Sequence, residues 1–336
     1  MMKVLLFGEP LIRISTLNSS QVGDGVETKL YFGGSEVNIA CALQALGINT
    51  KILTSLPDTS LGQRYLDFLI QKHIDTSVVI RGGKRIGTYY LEEGFGCRQT
   101  EVFYDRQYSS ICELEPSSLD FDDILHDVSH FHFSGITVAL SQSVRDCLWI
   151  LIAEAKKRHI TISMDLNFRS KMINPADAKR LFSQFAKEVD YCFGIEPILA
   201  HDKDWEMFNR DQAEAKDILR RLHTLHDRYH FKAIFHTMRY QDQQDKNCYR
   251  AYTLDDNNNL LQSTILKTAI KQRVGSGDAF VAGALYQLLQ KKAQPQQVMD
   301  FAVASATLKC TVETDYMSFS EKQISSILTP AQKLIR

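Results

Sequence analysis

The most reactive-looking pattern in the chain lies late, in Arg273-Val274-Gly275-Ser276-Gly277-Asp278-Ala279-Phe280-Val281-Ala282-Gly283. Small residues ahead of an apolar run let the backbone bend tightly, so that successive N–H groups point the same way. The run from Ala279 to Leu289 predicts a buried helix, and a helix N-terminus adds unpaired donors and the positive end of a dipole. Gly275, Ser276 and Gly277 therefore form a candidate anion site. Asp278 stands at its edge, where that field favours an ionised carboxylate. It is a candidate base for taking a proton from an attacking hydroxyl. The plainer alternative is an ordinary helix start with Asp278 as its N-cap. No Gly-x-x-x-x-Gly-Lys-Ser/Thr is present, and the third glycine of a dinucleotide fingerprint would fall on Phe280.

Other stretches offer polar groups to the same kind of ligand. In Gly33-Gly34-Ser35-Glu36-Val37-Asn38, paired glycines allow close approach of a ligand to the backbone, and Ser35 is a candidate N-cap for the helix that follows. Asn38, in its first turn, reaches the same ligand; otherwise this is a glycine turn with a polar helix residue. Asp165-Leu166-Asn167-Phe168-Arg169 follows a predicted strand, and Arg169 there suits a bidentate pair with a carboxylate or phosphate. A solvated loop is the alternative. Two β-prone runs, 85–93 and 101–106, form a hairpin carrying Tyr89, Tyr104 and Arg106. Because side chains alternate, Tyr89 and Tyr90 cannot both face a ligand. Taken alone, these runs equally describe an exposed hairpin. His130 and His132 share a strand face without an apparent third ligand, so packing outweighs metal binding. His223, His226 and His230 read as surface histidines, and Ser134-Gly135 has no triad context.

The elements that must position these residues alternate along the chain. Lys3 to Phe7 reads as a buried strand, 10–31 as exposed strands, and 35–46 as a helix stopped at Gly47. Strand 51–56 and helix 61–72 follow. From 128 onward come strand 128–133, helix 141–158, strand 160–165, helix 176–187, strand 189–193, helix 213–229 and strand 231–236. Helices 279–289, 296–310 and 321–328 close the chain. This rhythm predicts an α/β fold: a doubly wound, mostly parallel sheet with helices on both faces, and ligands at the carboxyl ends of its strands. Residues 10–31 and 78–108 are expected to form a small β-sheet lid within a single domain spanning 1–336.

Composition limits the partners. The chain has 336 residues, 44% hydrophobic and 24% charged, with a net charge of −1, so nothing points to nucleic acid or an acidic membrane. Seven scattered cysteines without a Cys-x-x-Cys read as reduced thiols in a cytoplasmic protein. No apolar stretch reaches membrane-spanning length.

In this order the pieces resemble the ribokinase-like (PfkB) carbohydrate kinases, over nearly the whole chain. Gly33 to Asn38 is similar to the family's N-terminal glycine signature, and Val274 to Gly283 to its C-terminal one. Within the family the chain is most similar to 2-keto-3-deoxygluconate kinases. The shared features are Gly8-Glu9, Gly87 to Leu91, Tyr104-Asp105-Arg106, Asp165 to Arg169, Thr237-Met238-Arg239, Arg273 to Gly275 and Lys309 to Asp315. The resemblance implies contacts to the sugar acid from Gly33, Gly34, Asn38, Tyr89, Tyr104, Arg106, Arg169 and Asp315, the arginines serving its carboxylate. It implies Asp278 as base, with Gly275, Ser276 and Gly277 as anion hole. For ATP it implies Asn167, Thr237, Arg239, Gly275 and Gly277, with Mg²⁺ as companion ion and a homo-oligomer joined through the lid.

Two positions depart from the family pattern. Gln272 stands where an aspartate is usual, three residues before the first signature glycine. The usual Asn-x-x-Glu is absent; near its place stands Gly194-Ile195-Glu196-Pro197, with only Glu196 offering a carboxylate, out of register. Metal ligands are therefore unassigned. A fructokinase or other neutral-sugar kinase, and a sugar-binding regulator without catalysis, are the competing expectations.

Overall fold

The computed structural model describes residues 3–329 except 211, 245, 291 and 292. In chain order the elements are β1 (Lys3–Phe7), β2 (Leu11–Thr16), β3 (Thr28–Gly33), α1 (Ser35–Ala45), β4 (Thr50–Leu56), α2 (Ser60–Gln71), β5 (Val79–Arg81), β6 (Gly87–Glu92), β7 (Glu101–Asp105), α3 (Phe121–Leu125), β8 (Val128–Ser134), α4 (Gly135–Leu140), α5 (Gln142–Lys157), β9 (Thr161–Asp165), α6 (Pro175–Ala186), β10 (Tyr191–Phe193), α7 (Ala215–Tyr229), β11 (Ala233–Gln241), β12 (Asn247–Leu254), β13 (Leu260–Gln262), β14 (Leu266–Thr268), α8 (Ser276–Leu289), α9 (Pro295–Lys309) and α10 (Glu321–Ser326).

The large sheet runs β13-β12-β11-β10-β9-β8-β1-β4-β5, with β14 also on β12. From β5 to β11 every pairing is parallel. Inner strand β1 has no polar face from Val4 onward: Leu5 and Phe7 pack into one apolar layer, Val4 and Leu6 into the other. Such a strand is buried on both sides, as parallel sheets require. One layer is covered by α5, α6 and α7, the other by α1, α2, α8 and α9. The expected doubly wound sheet is thus present. Segment 247–268, for which the sequence predicts no element, adds antiparallel strands β12, β13 and β14. The expected helix 141–158 is α5, capped by the Ser141 side chain, which accepts from the N–H of Val144 at 3.2 Å, and a short helix not anticipated from the sequence, α4, precedes it.

A second sheet, β3-β2-β6-β7, stands apart from the first. β2 pairs antiparallel with β3 and parallel with β6, and β6 pairs antiparallel with β7. Registers place Tyr31, Arg13, Tyr89 and Tyr104 in one row and Leu30, Ile14, Tyr90 and Phe103 in the next. Adjacent rows face opposite sides of a sheet. Residues 10–31 are therefore not uniformly exposed. β2 is the buried inner strand, and Arg13 is only 1% accessible because its head is paired inside the protein.

Candidate active site

A cleft of about 530 Å³ opens between the small sheet and the carboxyl ends of β9, β10 and β11. It is lined by Gly34, Asn38, Tyr89, Tyr104, Arg106, Asn167, Arg169, Thr237, Arg239, Gly275, Ser276, Gly277, Asp278 and Asp315. Gly33 does not line it. That residue lies behind, its carbonyl accepting from the Tyr65 hydroxyl and its Cα facing Asp315.

Asp278 is not the helix cap. α8 begins at Ser276 with Gly275 as N-cap, and Asp278 sits inside the first turn. Gly275 has φ +79°, and a Cβ there would lie 1.6 Å from the carbonyl oxygen of Asp315, so only glycine fits. This bend sets 275–277 at the start of a helix on the cleft wall, with the Ser276 N–H donating to the Arg273 carbonyl at 3.2 Å.

The Asp278 carboxylate is held on both oxygens. Ser35 Oγ donates to Oδ1 at 2.8 Å and Asn38 Nδ2 to Oδ2 at 2.7 Å. Ser35 therefore does not cap α1, whose N-cap is Gly34 without a side-chain bond. Its hydroxyl in turn accepts from Asn167 Nδ2 at 2.9 Å, which ties Asp278 to the loop after β9. Burial raises the Asp278 pKa, against the lowering from Asn38 and Ser35. The helix field alone had suggested a fully ionised group; desolvation outweighs it and makes the carboxylate a stronger base. Asp165, also on the cleft wall, is pushed up to about 7, first by burial and then by Asp278.

On the small-sheet side the charges are matched within the chain. Arg13 Nε donates to Asp315 Oδ1 at 2.7 Å, and Tyr89 Oη to Asp315 Oδ2 at 3.2 Å. Arg106 is paired to the buried Glu9, with Nε 2.9 Å from Oε2, and Ser109 Oγ donates to the other oxygen at 2.6 Å. Arg106 therefore already has a carboxylate partner and is not a free charge. Tyr89 and Tyr104 are cross-strand neighbours with ring centres 6.2 Å apart, both on the cleft, while Tyr90 faces away with Phe103.

Across the cleft three guanidinium groups have no carboxylate at ion-pair distance among the described residues. Arg169 donates to the Phe168 carbonyl at 3.1 Å, Arg239 to Ser276 Oγ at 3.1 Å, and Arg273 weakly to Asn247 Oδ1 at 3.4 Å. Burial, and then the neighbouring Arg239, lowers the Arg273 pKa. Unpaired arginines around an anion hole suit phosphate or carboxylate.

Glu196 is unavailable to a metal. Lys179 Nζ lies 3.2 Å from its Oε2, and Arg221 Nη2 lies 2.6 Å from its Oε1. Asp204 closes this network through the same two cations at 3.2 and 2.6 Å. Among the described residues no group of three or more His, Cys, Asp or Glu could hold a metal ion. His130 and His132 both bond Ser163 Oγ at 2.7 Å inside the sheet and are buried core histidines.

The sequence did not point to Ser35 as a partner of Asp278, to the Arg13–Asp315 pair, or to Arg273 as a cleft residue. Gly8-Glu9 gave a signal for Glu9, but its partner Arg106 lies 97 residues on.

The match to the pfkB carbohydrate kinase family spans residues 1–322. A 2-dehydro-3-deoxygalactonokinase of Haloferax volcanii is 27% identical over 326 residues, 97% of this chain and 96% of the relative. A 2-dehydro-3-deoxygluconokinase of Thermoproteus tenax is 24% identical over 320 residues, 94% and 90% of the two chains. The crystal structure of the 2-dehydro-3-deoxygluconokinase from Thermotoga maritima superposes with a TM-score of 0.88 at 28% identity, covering 97% of this chain and 99% of the other. The signatures, the ribokinase-like fold and the full-length match agree: this chain belongs to the pfkB family of carbohydrate kinases.

Proposed function

We propose that the protein transfers the γ-phosphoryl group of ATP to a hydroxyl of a 2-keto-3-deoxy sugar acid, with 2-keto-3-deoxygluconate as the first candidate and the 6-hydroxyl as acceptor. The observation that carries this reading is Asp278, its two oxygens fixed by Ser35 and Asn38 beside the backbone N–H groups of the α8 start. Asp278 takes the proton of the acceptor hydroxyl as its oxygen attacks the γ-phosphorus, and ADP leaves from the opposite side. The amides of Gly275, Ser276 and Gly277 meet the charge on the transferring group. Arg239, Arg273, Thr237 and Asn167 lie where the nucleotide phosphates arrive. Mg²⁺, when bound with the nucleotide, would add positive charge at the phosphates beside Arg239 and Arg273.

A sugar acid explains Arg169. A buried carboxylate must be paired, and Arg169 is the cleft arginine that lies in the loop after β9, the loop whose Asn167 is tied through Ser35 to Asp278. The row Tyr31, Arg13, Tyr89, Tyr104 gives the small sheet a polar inner face that closes over the sugar and excludes water. Its other row ends in Leu30 and Phe103, 52% and 41% exposed, a face suited to pairing with a second copy. Light scattering that finds a monomer would remove this dimer.

The test is ADP release with ATP and Mg²⁺, comparing 2-keto-3-deoxygluconate and its C4 epimer with fructose, ribose and no sugar. Strong preference for either acid supports the reading. Turnover on a neutral sugar alone keeps the Asp278 chemistry and discards the carboxylate. Sugar binding without turnover favours a regulator.

A further inference from the structure

The loop that forms the anion hole rests on a buried ammonium. Lys309, the last residue of α9, has no accessible surface, and its Nζ donates to the carbonyl of Gln272 at 3.0 Å. The groups that face its charge are Cys310 beside it, Asp315 on the following segment, Arg13 on β2 and Asp278 on α8, none of them as a direct ion pair. Burial is the largest influence and pulls its pKa down to about 8. A methionine of similar length would fill the space without that desolvation cost.

Gln272 connects this charge to the reaction centre. Its N–H donates to the Cys310 carbonyl at 3.2 Å, and its side-chain Oε1 accepts from the N–H of Val274 at 3.0 Å. Its Nε2 donates to Glu93, immediately after β6 of the small sheet. Every polar group of Gln272 is thus engaged, and the next turn of chain is Gly275, pressed against Asp315. The residue that replaces the family's usual aspartate is therefore the joint between Lys309, the small sheet and the amides at 275–277.

We propose that Lys309 is the positioning residue of the anion hole, an internal cation that holds the 272–277 backbone in its inward course and offsets negative charge arriving there. The inference rests on the kinase reading above and adds to it a group that touches neither sugar nor nucleotide. With no direct ligand contact, its loss affects the passage of the phosphoryl group and leaves ground-state binding in place.

Two measurements on Lys309→Met test it. In turnover with the preferred sugar acid, kcat falls about 10²-fold, the range seen when anion-hole donors are disturbed, while KM for sugar and ATP stays within about threefold. In calorimetry without sugar, the wild-type protein binds ADP more tightly when aluminium fluoride supplies an anion in place of the phosphoryl group; the variant loses that gain and binds ADP alone as before. Methylammonium added to Lys309→Ala restores part of the turnover, a response that a purely structural lysine does not give and that also serves if Lys309→Met fails to fold.

An unchanged kcat in Lys309→Met, a fluoride gain equal to wild type, or no rescue by methylammonium overturns the role of Lys309. The first of these leaves the sugar-acid reading intact. A wild-type protein inert to every sugar acid, with the fluoride gain present and lost in the variant, removes the sugar-acid reading and keeps Lys309.

Discussion

The two walls of the cleft handle charge in opposite ways. On the small-sheet wall, Arg13 and Arg106 are both at least 93% buried and are committed to Asp315 and Glu9. On the opposite wall, among the described residues, the hydrogen bonds of Arg169, Arg239 and Arg273 go to carbonyl, hydroxyl and amide oxygens, and Arg239 also lies over the Tyr249 ring at 5.7 Å. The first arrangement fixes the shape of this wall through pairs made within the chain, a socket that the proposed function assigns to the sugar. The second leaves positive charge to be matched by what the ligands bring. Ion pairs that are already satisfied supply shape, and unsatisfied arginines supply affinity.

The largest effect expected is at Asp278, the proposed base, on the cleft between the walls. Asp278→Asn keeps both hydrogen-bonding neighbours but removes the proton acceptor, so kcat falls by about 10³-fold or more, with sugar binding by calorimetry unchanged. Turnover within tenfold of wild type would remove Asp278 from that role. Next comes the committed wall. Arg13→Ala strands Asp315, and Arg106→Ala strands Glu9, each costing about 3–5 kcal/mol of stability in urea unfolding. The open wall behaves otherwise: Arg239→Ala and Arg273→Ala each raise KM for ATP about tenfold and leave the unfolding midpoint in place. Equal stability losses from both walls would erase the distinction.

The smallest effect concerns Glu36, beneath the same socket. Its Oε1 accepts from Thr137 at 3.0 Å, but Oε2 is buried without a partner. Burial raises its pKa from 4.5 to about 7. A carboxyl whose folded pKa is raised favours folding only while protonated. Its contribution is full below the unfolded value and is lost as pH rises through 7. Glu36→Gln should therefore raise Tm by a few degrees (~2–4 °C) at pH 8 and leave it unchanged at pH 4. A Tm difference that does not vary with pH would mean Glu36 does not titrate there.

The alternation of apolar strands and helices made the large sheet legible, because parallel strands must be apolar throughout. The antiparallel extension at 247–268 was not, since β13 and β14 are three residues each and carry no periodicity. Of the fifteen residues that the glycine signatures and the family resemblance pointed to, fourteen line one cleft, all but Gly33. What the sequence could not reveal were pairings across long separations. Arg13 and Asp315 are 302 residues apart, and Ser35 and Asp278 are 243 apart. Ser35 illustrates the reason: its position before a helix predicts a cap, and only the folded chain shows that Asp278 competes for its hydroxyl and wins. Arg106 and Arg169 look alike in sequence, and Glu9 alone separates their roles.

The central claim is that the open wall receives the carboxylate of a sugar acid through Arg169. The most direct measurement compares kcat/KM for 2-keto-3-deoxygluconate and for 3-deoxyfructose, its counterpart with a hydroxymethyl group in place of the carboxylate, in wild type and Arg169→Ala. The account predicts a loss of about 10²-fold on the acid and less than about threefold on the neutral sugar, the value of a charge-assisted pair against none. Equal losses on both sugars would contradict it and assign Arg169 to the nucleotide instead.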